Sequence, residues 1–383
     1  MQLTTDEVAR RLGVRKATVY AYVSRGLLTS KRHGDGKESL FDEAEVTAFA
    51  AGRRRPGVVE PEVRTGLTLI TGDGLYYRGQ DVCSLAATAS FESVVSLLWT
   101  GSAVAAPLRP DPAVLAAVRA VLESLPADMR AADRLRIAVA AGAPADKLRF
   151  DLTPPAVVAT GRALIGTMVA ALDPRAPAGD SLAAALWPCL TAREPAPAGI
   201  AALNAALVLL ADHDLAASTF AARVAASTRA DPWWVVSAGL AALAGPLHGA
   251  ASGLAYQLLV SPDPAAAVAE QRRLHGSVPG FGHPLYPGGD PRARALLEAL
   301  PEAEATHAVL DAAAGRSGLA PNIDFALAAL ALTTGMGADA GEAVFAIART
   351  AGWIAHALEE YADQPSRFRP TGRYAGRIPS PPG

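Results

Sequence analysis

Cysteine is nearly absent from this chain: its 383 residues include two, Cys83 and Cys189. They fall in neither a paired-thiol nor a zinc spacing, which excludes a disulfide framework. Lysine is also scarce, with 4 residues against 31 arginines. Alanine is abundant, so the arginine excess reads as compositional bias and a single arginine carries little information. Charge of one sign is lacking too. A formal net charge of −2 argues against a polyanion binder as a whole. The start, MQLTTDEVARRLG, has charges where a signal peptide needs an apolar run. No uninterrupted apolar stretch reaches the length of a membrane span; the closest, Trp233 to Leu247, reads as a buried helix. A cytoplasmic protein without membrane contact is expected. What the chain does have is apolar mass, 51% hydrophobic against 19% charged. That is enough for a large core in two or three domains.

The small net charge hides an asymmetry. Residues 1–57 carry 11 Lys+Arg against 7 Asp+Glu, a net of +4, and the remainder carries 24 against 30, a net of −6. Basic excess at one end is where nucleic-acid contacts belong. This end reads as helix, turn, helix, hairpin, helix. Thr4 or Thr5 caps a helix to Leu12, with Asp6 and Glu7 in its first turn. Gly13 breaks it, and a second helix runs from about Arg15 to Arg25. His33-Gly-Asp-Gly36 is the turn of a hairpin wing between Leu28 and Phe41, and Asp42 caps a third helix to Ala51. Arg53-Arg-Arg-Pro-Gly57 opens a linker, 53–62. These boundaries predict a winged helix-turn-helix domain over 1–52 and a second body over 63–383.

Residues 63–80 alternate apolar and polar around glycines, as two short strands or an extended arm. Beyond Cys83 the apolar residues recur at helical spacing, in segments such as 113–125, 135–141, 157–172, 198–212, 233–243, 325–333 and 341–362. The stretches 103–113 and 174–198, rich in Ala and Pro, read as loops. The fold class is mainly α.

Of seven histidines, three sit in unusual frames: Ala-Asp-His-Asp at His213, Gly-Pro-Leu-His-Gly at His248 and Gly-Phe-Gly-His-Pro at His283. Glycine and proline beside an imidazole let a ligand approach the backbone closely. A fourth frame, Pro-Asn-Ile-Asp-Phe, brings Asp324, whose plainer reading is a helix N-cap. Asp290-Pro-Arg292 reads as a helix start with an i,i+2 charge pair. Two imidazoles and a carboxylate together suit a carbonyl substrate and proton abstraction from a carbon acid.

The order and spacing of these frames resemble the citrate synthase family. The resembling stretches are ADHDLAASTFAARVAAST, GPLHGAAS, VPGFGHPLYPGGDPRA, PNIDF, RTAGWIAHALEE and RPTGRYAG, preceded by LTLITGDGLYYRGQDVCSLA; they span about 63–376. The resemblance implies all-α large and small domains, the smaller over roughly 250–345. It implies condensation of an acyl-CoA, acetyl-CoA or propionyl-CoA, with oxaloacetate, followed by thioester hydrolysis. No cofactor and no metal are expected. His248 falls on the residue that stabilises the enolate, Asp324 on the general base, and His283 on the acid that protonates the oxaloacetate carbonyl. His213, Arg292, Arg349 and Arg369 fall on the substrate contacts, with Arg369 reaching the partner's active site in a homodimer. The chain departs from the family pattern at Pro284 and Pro287, where basic residues are common, and at Ser252.

The first segment resembles the MerR/excisionase helix-turn-helix. That resemblance implies DNA contacts from Arg15, Lys16, Thr18, Tyr20 and Tyr22 on the second helix, with Lys31, Arg32 and Lys37 on the wing. A second reading stays open at this point: a DNA-binding regulator whose synthase-like body senses a dicarboxylate or acyl-CoA.

Overall fold

The computed structural model describes all residues except 1, 13, 15, 25–27, 33–38, 51–62, 73, 127, 174–180, 247, 301–303, 318, 371–375 and 377–383. It divides into two compact units, 1–64 and 65–383.

The first unit carries helices Thr5–Leu12, Lys16–Ser24 and Glu43–Ala50. Its entry is a capping box: the Thr4 amide donates to Glu7 Oε2 (2.8 Å), and the Glu7 amide donates back to Thr4 Oγ1 (3.4 Å). The hairpin pairs Lys31–Arg32 with Ser39–Asp42; its expected turn lies outside the described residues. One strand was not expected. Gln2–Thr4 pairs antiparallel with Ser39–Asp42, making a third strand. It is three residues long, too short to display alternation. Val8, Val19, Leu28, Phe41, Val46 and Phe49 form the core.

The second unit opens with an antiparallel sheet of Thr68–Thr71, Gly74–Tyr77 and Gln80–Asp81, and the rest of it is mainly helical. The long helix Ala340–Ala362 runs through its core, buried along most of its length. It packs on Ala217–Ser227, Pro232–Leu243 and Pro154–Leu172. The Trp99 indole pins it by donating to the Ala351 carbonyl (2.8 Å). Pro154–Leu172, interrupted by Thr160, Arg162 and Thr167, is long and apolar enough to cross a membrane by length and composition alone. It buries Leu164, Ile165 and Met168 in the main core. A second, smaller core gathers Leu258, Val268, Val278, Phe281, Val309, Phe325 and Ala329.

Two helices correct the sequence reading. Leu182–Leu190 lies within the stretch read as a loop. Its proline, Pro188, suggests a break, but Leu182, Leu186 and Trp187 bury on one side and Ser181 caps it. Pro264–His275 was missed because only Val268 is buried along it, so it displays no apolar stripe. The second helix is described over Lys16–Ser24; Arg15 and Arg25, its expected ends, lie outside the described residues.

Candidate active site

One cavity of about 540 Å³ is lined by His213, His248, His283, Arg292, Asp324 and Arg349. Six of the seven chemistry-bearing residues singled out in the second body thus converge. Arg369 does not line it; it lies on the exposed segment after the last helix.

The loop bearing His283 depends on two glycines. Gly280 and Gly282 have φ of 83° and 79°, in the left-handed region that disfavours side chains. A Cβ on Gly280 would also meet the Phe325 side chain at 2.8 Å. These turns bring the loop against the segment before Asp324. The Gly282 amide donates to Ala320 O, and the Asn322 amide to Gly280 O (both 2.8 Å). Asn322 then does two jobs. Its Nδ2 donates to Gly282 O (2.9 Å), and its Oδ1 accepts the Asp324 amide (3.0 Å). Asn322 is therefore the N-cap of Ile323–Thr334. The N-cap reading of Asp324 is corrected by two positions, because Asn322 already satisfies the helix donor and leaves the Asp324 carboxylate unspent.

Asp324 Oδ1 is buried and has no hydrogen-bond partner among the described residues. Burial pushes this carboxyl up to about 7; Arg292 opposes the rise and Asp290 adds to it. The group is held near the pH at which it accepts a proton.

Arg292 is buried and forked onto Asp290, with Nε to Oδ1 at 3.0 Å and Nη2 to Oδ2 at 2.8 Å. Asp290 also caps Pro291–Glu298 and accepts the Ile323 amide (3.1 Å). The expected i,i+2 pair exists and additionally ties Arg292 to the start of the Asp324 helix. Arg349 differs. Its Nε donates to Leu210 O (2.8 Å), while Nη1 and Nη2 are buried without a hydrogen-bond partner among the described residues. Burial pulls its pKa down to about 10, which still leaves it charged at neutral pH.

The imidazoles are neutral donors or acceptors at pH 7. Burial, then the charges of Arg292 and Arg349, hold His213 well below the ordinary histidine value. Burial and Arg349 lower His248 to about 4. His283 is lowered by burial and Arg292. His283 Nδ1 accepts the Leu285 amide (3.2 Å), so its ring proton sits on Nε2, a hydrogen-bond donor. His248 Nε2 meets Ser218 Oγ at 2.9 Å; when the hydroxyl donates, Nδ1–H is the donor left over.

Sequence reasoning missed Tyr286. Its hydroxyl meets His213 Nε2 at 2.9 Å, and its ring lies 4.9 Å from that of His283. A tyrosine three residues after a framed histidine, in the same Gly/Pro-rich loop, was the available signal. Also missed was Asp212, inside the quoted frame. It is fully buried, accepting from Thr68 Oγ1 (2.5 Å) and lying 3.3 Å from His356 Nε2. Burial alone would raise its carboxyl, but His356, Arg349 and the Thr68 hydroxyl hold it below the ordinary value.

A family model described as citrate synthase, C-terminal domain, matches residues 60–371. The chain belongs to the citrate synthase family. Citrate synthase 2 of Bacillus subtilis is 30% identical over 86% of this chain and 96% of its own length. A 2-methylcitrate synthase of Corynebacterium glutamicum is 30% identical over 84% and 93%. The solved citrate synthase of Thermoplasma acidophilum, a ternary complex with carboxymethyl coenzyme A and oxaloacetate, superimposes with a TM-score of 0.69. It is 26% identical and covers 84% of this chain and 96% of that one. The protein is a citrate synthase-like enzyme, and such enzymes need no metal or prosthetic group.

A helix-turn-helix domain model matches residues 3–54. On its second helix Lys16 and Tyr20 are exposed and Thr18 is half-buried. Lys16 Nζ pairs with Asp6 at 2.5 Å. Tyr22 was expected to face DNA, but it packs on Phe49 with ring centroids 5.0 Å apart. The helical period turns it toward the third helix, away from Tyr20. Lys31 is exposed on the wing strand. Arg15, Lys37 and the Arg32 side chain lie outside the described residues.

Proposed function

We propose that this enzyme condenses acetyl-CoA with oxaloacetate to give citrate, and accepts propionyl-CoA in the same site to give 2-methylcitrate. One observation carries the reading. A carboxyl with one oxygen buried and unpartnered among the described residues, pushed up to about 7, shares a cavity with three neutral imidazoles and two guanidinium groups.

Asp324 takes a proton from the carbon next to the thioester carbonyl. The electron pair moves onto the thioester oxygen, where the free N–H of His248 stabilises the developing enolate. The enolate carbon attacks the ketone carbon of oxaloacetate. The carbonyl pair moves to oxygen and takes the His283 Nε2 proton, and the proton held on Asp324 is returned to that imidazole, so both groups are restored. Water then cleaves the C–S bond and releases the CoA thiol. Arg349 holds an oxoacid carboxylate with the fork of its Nη1 and Nη2, while Arg292, whose Nε and Nη2 are spent on Asp290, contributes its charge and Nη1, and His213 adds a further contact. Arg369 completes the pocket of a second copy in a homodimer, consistent with its place outside its own chain's cavity.

The test is thiol release from purified protein with oxaloacetate and each thioester in turn. Release with both, faster with acetyl-CoA, is expected. No release above blank with either would overturn the assignment.

The helix-turn-helix match favours a second role, an enzyme that also binds DNA through the 1–52 domain, using Tyr20, Thr18, Lys16 and Arg15, with Arg32 on the wing. A gel shift with the DNA upstream of its own coding sequence should weaken steeply with salt. A shift that is absent or insensitive to salt leaves the domain a packing role.

A further inference from the structure

The segment that follows the last helix is clamped at its base. Arg367 forks onto Glu360, with Nε to Oε2 at 2.9 Å and Nη2 to Oε1 at 2.5 Å. Glu360 is fully buried. Arg223, also buried, reaches the same carboxylate, its Nε 2.5 Å from Oε1. Two guanidinium groups thus share one buried anion, and Glu359 adds a second at 2.6 Å from Arg223 Nη1. The backbone is fixed as well. The Ser366 amide donates to Ser227 O (2.7 Å), with Ser366 in the left-handed region at φ 55°. Arg229 donates to the carbonyls of Glu360 (2.5 Å) and Asp363 (2.6 Å). Phe368 meets Phe220 edge-on with centroids 5.3 Å apart, and the Arg367 guanidinium lies 4.3 Å over the Phe368 ring.

This much fixation is unusual for a segment without regular secondary structure. Two residues past Arg367 stands Arg369. It is exposed, and it is outside the cavity of its own chain. The clamp continues inward. Arg223 Nη1 donates to His356 Nδ1 (2.5 Å), so the His356 ring proton sits on Nε2 and faces Asp212. Asp212 is the neighbour of His213.

We propose that the Glu360–Arg367 pair, locked by Arg223 and by the Phe220–Phe368 contact, is a positioning device. It holds 366–369 in the geometry that delivers Arg369 to the active site of a second copy of this chain. This rests on the reading above that Arg369 serves that second site. A guanidinium delivered across an interface binds a carboxylate well only if its base is immobilised beforehand, because misplacement by about 1 Å costs up to roughly 100-fold.

The test uses steady-state kinetics on the full-length enzyme. Arg367→Gln should raise KM for oxaloacetate about 10- to 100-fold, leaving KM for the acyl-CoA within about twofold and the dimer intact by light scattering. Arg369→Ala should do the same or more. Mixed dimers then decide. A subunit with Arg367→Gln is paired with one carrying Asp324→Asn. The only site with a working base then receives Arg369 from the subunit whose clamp is whole, so the wild-type KM should return. If KM stays raised in the mixed dimer, Arg367 acts inside its own subunit and the proposal falls. If Arg369→Ala raises KM but Arg367→Gln does not, the clamp has no positioning role. If Arg369→Ala changes nothing, the reading of Arg369 itself fails.

Discussion

Asp324→Asn is expected to lower turnover by about 10³-fold or more, in the range that loss of a general base produces, while oxaloacetate binding stays within a few-fold of wild type. The same substitution should make the protein more stable at alkaline pH. The folded state raises this carboxyl from an ordinary 3.8 to about 7. Below about pH 4 the folded and unfolded chains both hold the proton, and the group costs nothing. As pH rises from about 4 to 7 the unfolded chain ionises while the folded one resists, so stability falls through that window and levels off above it. A tenfold change in proton affinity is worth about 1.4 kcal/mol, giving a ceiling of a few kcal/mol at pH 8. Asparagine is neutral throughout. Its gain in melting temperature should therefore be larger at pH 8 than at pH 5. In the wild-type enzyme only the deprotonated carboxylate serves as base, so kcat/KM should fall as pH drops through about 7. Equal gains at both pH values, or surviving turnover, would remove Asp324 from its role. The pattern is a functional group kept at the expense of stability.

Much of this was legible in the sequence because the signals were local. Caps, apolar spacing and glycine turns specify the helices around the site, and Asp290-Pro-Arg292 declared both a cap and an ion pair. The residues missed were those whose partners are far away along the chain. Tyr286 pairs with His213 across 73 positions, and Asp212 pairs with His356 across 144. Neither spacing leaves a periodic trace. The helix Pro264–His275 was silent for another reason: Val268 is its one fully buried residue, with the small Ala265 and Ala267 packed beside it, so no apolar stripe marks it. Tyr22 shows the reverse failure. Placed by its type on a DNA-facing surface, it is claimed by Phe49 in the small core, because an aromatic ring gains more from packing than from water.

Arg349→Gln should raise KM for oxaloacetate by about 30- to 1000-fold, corresponding to roughly 2–4 kcal/mol for a buried charge-assisted contact. Arg349 is 1% exposed, and two of its three nitrogens have no hydrogen-bond partner among the described residues. A cation so desolvated is expensive to keep, and burial lowers its pKa to about 10. Asp212 nearby offsets part of that cost, and Leu210 O with the Phe345 ring at 4.7 Å fix the orientation. Folding has therefore already stripped the water that a substrate carboxylate would otherwise have to displace, and the fork is aimed before the substrate arrives. Glutamine keeps a polar end but lacks charge and fork, so the oxoacid loses both. Lysine restores charge as a point without the fork, and Arg349→Lys should fall between the two. At saturating oxaloacetate, kcat should recover most of its wild-type value in both variants, since the lost contact holds the substrate in ground and transition states alike. A glutamine variant with unchanged KM would show that the Arg349 guanidinium is not where the oxoacid binds.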